Sequence, residues 1–104
     1  MEYEFTGQLG AFIKAARQGS VDNVDFIMQY LTHQASLSTT RYVDYALSLV
    51  NKKEGVERIR YYLFEGSQIQ RNYASLYFNR IGDWPCVKQA YEFGLIDEIQ
   101  AFAR

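Results

Sequence analysis

Apolar side chains recur along this chain at steps of three and four residues. Leu9, Phe12, Ile13 and Ala16 fall at i, i+3, i+4 and i+7, and Val24, Ile27, Met28 and Leu31 repeat that spacing. Tyr42, Tyr45, Ala46, Leu49 and Val50 extend it, followed by Val56, Ile59 and Leu63, then Tyr73, Leu76, Tyr77 and Ile81, then Val87, Ala90 and Tyr91. A period near 3.6 lays each set along one side of a helix, and no strand-like alternation competes with it. The predicted helices span roughly 5–18, 21–33, 39–52, 54–65, 68–81, 84–94 and 96–103, in an all-α fold.

The punctuation between the stripes agrees with these helices. Gly19-Ser20 ends the first helix and caps the second, the Ser hydroxyl accepting an otherwise unpaired N–H. Ser38, Thr39 and Thr40 offer the same bond to the third. Ser67 and Gln70 fit a capping box, and Gly66 just ahead suits the left-handed position after a helix. Asp83 or Trp84 starts the sixth helix, with Pro85 tolerated in its first turn. Gly94 ends it, and Asp97 starts another.

Two helices and a corner form a unit that recurs. Val24-Ile27-Leu31 and Val56-Ile59-Leu63 are one pattern 32 residues apart, and Val87-Ala90 continues it 31 residues later. Such a period points to an array of about three helical hairpins plus a final partial helix, each hairpin needing a neighbour to bury its apolar side. An irregular bundle of six to seven helices is the alternative. Either way 104 residues make a single domain.

The best-formed stretch, Gln70–Ala103, resembles a short HEAT-type repeat. Arg71 and Ala74 sit on its first helix, Ile81-Gly82-Asp83 forms the corner, and Val87 and Ala90 open its second helix. An ankyrin-like array is the competing family, on the period and on Ala15-Ala16-Arg17-Gln18-Gly19. The HEAT-like resemblance implies that the second helices line a concave binding surface. Tyr30, Tyr62 and Phe93 share one repeat position there, with Phe26, Arg58 and Gln89 beside them and Tyr61 next. Tyr and Arg are enriched where protein interfaces concentrate their binding energy. Phe26, Tyr30, Arg58, Tyr61, Tyr62, Gln89 and Phe93 are therefore the candidate partner-binding residues. The bland alternative is that these rings fill the edge of the core.

Composition narrows the function classes. Apolar residues make up 48% and aromatic residues 16%, too many for a disordered chain. The formal charge of −1 opposes a dedicated nucleic-acid binder. Arg41, Lys52, Lys53, Arg58, Arg60, Arg71 and Arg80 nevertheless give residues 41–80 a basic excess, so a phosphate-backbone binder is the second expectation. Cys86 is the only cysteine, which favours a reducing compartment, and MEYEFTGQLG lacks the basic and apolar regions of a secretion signal. No apolar run approaches membrane-span length. A cytoplasmic protein is expected.

Catalytic parts are few. His33, the only histidine, is placed near the end of the predicted second helix, where a protonated imidazole suits the helix dipole. Cys86 lies in a first turn, where amide N–H groups favour a thiolate, but His33 is its only available base, so it is expected to be a half-buried packing residue. No phosphate loop, zinc motif or nucleophile elbow occurs. The expectation is a protein that is not an enzyme and carries no cofactor or metal: an adaptor- or inhibitor-type module binding another protein. Ile99 and Phe102 in the last helix would stand exposed unless covered, so self-association is expected too.

Overall fold

The computed structural model describes residues 7–103. They form seven helices: α1 (Gly7–Gln18), α2 (Val21–Met28), α3 (Leu37–Leu47), α4 (Lys53–Glu65), α5 (Gln68–Arg80), α6 (Trp84–Glu92) and α7 (Glu98–Phe102). No strand occurs among the described residues, so the all-α reading holds. The expected start of the first helix at Phe5 lies outside the described residues. The chain divides into two compact units, Met1–Arg58 and Ile59–Arg104, the boundary falling within α4.

In the first unit α1, α2 and α3 pack against one another. Phe12, Ile13 and Ala16 of α1, Val24, Ile27 and Met28 of α2, and Val43, Ala46 and Leu47 of α3 are buried there. Ser20 caps α2 as expected: its Oγ accepts from Asn23 N–H at 3.2 Å, and Asn23 Oδ1 accepts from Ser20 N–H at 3.1 Å.

Two expectations in this unit are corrected. α2 ends at Met28 rather than continuing to residue 33. Beyond it the bonds tighten to three-residue turns, and Thr32 Oγ1 accepts from Gln34 N–H at 3.3 Å, a local bond that competes with helix. His33 consequently sits in a loop and caps no helix. The cap of α3 is Ser36, whose Oγ accepts from Thr39 N–H at 3.1 Å, so that helix starts ahead of the expected Ser38–Thr40 cap and stops at Leu47.

Where α4 begins, Gly55 permits close approach to the end of α1. A Cβ built on Gly55 would stand 2.5 Å from the Gly19 carbonyl oxygen and 2.7 Å from Val50 Cγ1. Backbone cannot yield cheaply, so Gly55→Ala is expected to destabilise the protein by about 1–3 kcal/mol, the range for overpacking. Urea unfolding measures it, with the midpoint falling and the slope unchanged.

In the second unit α5, α6 and α7 pack against one another. Ile59, Leu63, Ala74, Tyr77, Phe78, Val87, Ala90 and Ile96 are buried. Both ends of α6 depend on glycine. Gly82 and Gly94 adopt φ of 80° and 74°, which an L side chain strains to reach. Each lets the next residue bond back over a helix end, Asp83 N–H to Phe78 O at 2.9 Å and Leu95 N–H to Ala90 O at 3.0 Å. The capping box at the start of α5 is present, Gln70 N–H donating to Ser67 Oγ at 3.3 Å and Ser67 N–H to Gln70 Oε1 at 2.9 Å. Gly66, expected to be left-handed, is not among the positive-φ glycines. Its constraint is steric: a Cβ there would meet Tyr62 O at 2.6 Å.

Polar side chains on α5 fix the segment after α6. Arg71 donates from Nε to Leu95 O and from Nη1 to Gly66 O, both at 2.8 Å, tying the α6–α7 turn to the start of α5. Two turns later the buried Asn79 donates from Nδ2 to Ala101 O at 3.0 Å and Ala103 O at 2.8 Å, with Gln100 O at 3.4 Å. α7 is five residues long and buries no residue of its own. Alone it would not persist, and these bonds supply carbonyl partners its own turn cannot.

Candidate functional site

The expected partner-binding residues are divided between the two units. In the first unit Phe26 and Tyr30, one turn apart at α2 and its end, bracket the buried Phe12. Their ring centroids lie 6.0 and 5.0 Å from it and 5.6 Å from each other. Both are half-buried, so these rings extend the core to its edge. Arg58 grips Asp25, the neighbour of Phe26, from Nε at 2.7 Å and Nη2 at 3.2 Å.

In the second unit Tyr61 and Tyr62 meet edge to face with centroids 5.4 Å apart. Phe93 meets Phe64 at 6.3 Å and is 64% exposed. Gln89 is exposed on α6. Within that unit Phe93 thus borders Phe64, and Tyr62 borders Tyr61.

The more concentrated feature is built from residues that the sequence pattern assigns to caps and core. Beside α6 and α7 lies an apolar groove of about 750 Å³. Trp84, Pro85, Tyr91 and Phe102 line it together with buried Val87 and Asn79 and the charged Lys88 and Glu92. Trp84 is 53% exposed and Phe102 72%. Ile99, on the same short helix as Phe102, is 77% exposed, matching the expectation that both would lack cover. In the sequence Trp84 marks only a helix start, and Tyr91 belongs to a stripe. The available signal is Trp84, Lys88 and Glu92 at successive four-residue steps, a ridge angled away from Val87 and Ala90.

At least three of the seven residues of the expected basic belt are committed internally. Besides Arg58 on Asp25 and Arg71 on its carbonyls, Arg60 sets Nη2 3.1 Å from Asp83 Oδ2 and places its guanidinium 4.8 Å from the Phe78 ring centre. A planar cation stacked on a buried ring and paired with a carboxylate is well held. Asp83 is engaged in this pair, and its side chain does not cap α6.

Cys86 is a buried packing residue, not an activated thiol. It is 7% exposed, and its Sγ–H donates to Asp83 O at 3.2 Å. Burial pushes the thiol up to about 11, the Asp83 charge adds to this, and Arg60 opposes it. The helix start is outweighed by desolvation. At pH 8 alkylation of folded Cys86 is expected to be roughly two orders of magnitude slower than that of a free thiol. Iodoacetamide labelling followed by mass spectrometry checks this. The raised value also means that this group's stabilising contribution is complete below the unfolded thiol's range and is lost as pH climbs toward 11.

Among the described residues no helix is long and apolar enough to cross a membrane. The chain matches no family model, no curated protein and no solved structure.

Proposed function

We propose that this protein is a non-catalytic protein-interaction module whose docking surface is the aromatic side of α6 and α7. The carrying observation is the juxtaposition of exposed Trp84, Tyr91 and Phe102 around one apolar groove. Large rings left in water beside a concave apolar surface are the residue types that dominate binding energy once covered. The helices behind them form a rigid support: Val87 and Ala90 seat α6, while Arg71 and Asn79 hold the α7 segment. The helical-repeat reading fits this role, because repeats present side chains from successive helices as one surface. Adaptor or inhibitor action follows from such a module when the covered partner surface is itself functional.

Two alternatives have less support. A phosphate-backbone binder would draw on Lys52, Lys53, Arg58, Arg60, Arg71 and Arg80, of which Arg58, Arg60 and Arg71 already hold protein groups. An enzyme using Cys86 would need a thiolate from a thiol pushed up to about 11.

Phe102 replaced by a photoreactive phenylalanine derivative tests the surface, with the same replacement at exposed Tyr45 as the control. Irradiation in the producing cells is expected to give discrete protein adducts from position 102 and none of comparable yield from position 45. If position 102 captures no protein, a second copy of this chain included, above the control yield, the docking reading is wrong.

A further inference from the structure

We propose that the α6–α7 groove takes the same groove of a second copy of this chain, the two α6 helices lying antiparallel about a two-fold axis. The proposal rests on the reading of this face as a protein-docking surface and names its occupant.

A two-fold interface uses one patch twice, so that patch must carry both projection and recess. This one does. Phe102 and Ile99 project from α7, at 72% and 77% exposure, beside the groove that Trp84 and Tyr91 help to form. A heterologous partner needs only one of the two features on this chain.

The charges select the antiparallel arrangement. Lys88 and Glu92, both lining the groove, form an exposed pair at 3.9 Å, with Lys on the N-terminal side. That order is the poorer one within a helix. It also leaves Glu92 at the helix end, where the dipole is already negative. An antiparallel copy reverses both defects. It sets its Lys88 against Glu92 and its Glu92 against Lys88, and it brings the positive start of its own α6 toward the negative end of the first. The same register carries Trp84 past Glu92 of the second copy toward that copy's α7, the segment bearing Ile99 and Phe102. Apolar and charged complementarity therefore use one register.

Sedimentation equilibrium over a concentration series tests this, with the emission of Trp84, the only tryptophan, as the local reporter. The wild-type chain is expected to reach twice the monomer mass as Trp84 emission moves to shorter wavelength, both with one midpoint. Lys88→Glu and Glu92→Lys each place two like-charged pairs in the homodimer and are expected to raise Kd roughly tenfold. Mixing the two variants restores opposite charges at both contacts, so the mixture is expected to form a heterodimer of near wild-type affinity. The double variant Lys88→Glu/Glu92→Lys is expected to recover likewise. Both side chains are exposed, and far-UV circular dichroism with thermal unfolding confirms that each variant folds.

A chain that stays monomeric throughout, with concentration-independent Trp84 emission, overturns the proposal. Adducts from position 102 to a different protein would then leave the docking reading standing, whereas no adduct would remove both. A dimer that is indifferent to the single reversals, or that the mixture fails to restore, also overturns it.

Discussion

Phe12→Ala is expected to remove about 3–5 kcal/mol of stability, the usual cost of deleting a fully buried phenylalanine. The ring has no exposed surface, and Phe26 and Tyr30 both rest on it. Its loss removes hydrophobic transfer energy, opens a cavity between α1 and α2, and cancels two ring contacts together. Domains of this size have only about 5–15 kcal/mol in total, so the loss takes a large share of the protein's stability. Urea unfolding at 25 °C, followed by far- and near-UV circular dichroism, gives the difference. The comparison with Phe26→Ala is informative about function. Phe26 is half-buried, so its truncation should cost clearly less, about 1–2 kcal/mol. A comparable cost at the two positions would make Phe26 a core residue; a small cost would leave its outer face available for recognition.

This pair shows what the sequence pattern contains. A stripe at 3.6-residue spacing states which side of a helix turns inward, and Phe12, Ile13, Val24, Ile27, Ala46, Leu63, Val87 and Ala90 are all buried accordingly. At the edges of a stripe the pattern loses resolution, since one residue rotates a side chain by about 100°. Tyr45, Ile81 and Tyr91 fall on the stripes by spacing and are nevertheless exposed. Capping is legible where the interaction is local, as at Ser20, Ser67 and Asp97, because donor and acceptor lie within four positions of each other. It fails at Ser36 because four neighbouring Ser and Thr residues offer equivalent hydroxyls.

Nonlocal polar contacts leave no trace that periodicity could detect. Arg60 on Asp83, Arg71 on Leu95 and Asn79 on the α7 carbonyls each join residues more than 20 positions apart. Those contacts decide the fate of the basic belt and the position of α7. The groove is illegible for the same reason: it exists only where α6 and α7 come together. Its individual residues are visible, and the exposure of Ile99 and Phe102 is anticipated, but the recess between them requires the packing.

The groove therefore depends on the bonds that secure α7, and Asn79→Asp should release it. The substitution conserves shape and replaces a donor by a carboxylate oxygen. That oxygen would face the carbonyls of Ala101 and Ala103, where the amide now donates at 3.0 and 2.8 Å. Asn79 is buried, so the new charge would be poorly solvated. A buried uncompensated charge costs about 3–5 kcal/mol, and detaching α7 into solvent is the easier way to relieve it. Hydrogen exchange should therefore show loss of protection at the α7 amides first, and any self-association should weaken with the loss of Phe102 from the groove. Asn79→Ala removes the donor without adding charge and is expected to cost less, about 1–3 kcal/mol. The aspartate variant alone should depend on acid. Burial among carbonyl oxygens raises its folded-state pKa above the unfolded value of about 3.9. Its penalty relative to the wild type is then full at neutral pH and shrinks as pH falls through the folded-state value, because the protonated carboxyl can again donate to a carbonyl. A stability difference between Asn79→Asp and the wild type that stays flat from pH 7 to pH 4 would show that the Asn79 amide does not hold α7 in this way.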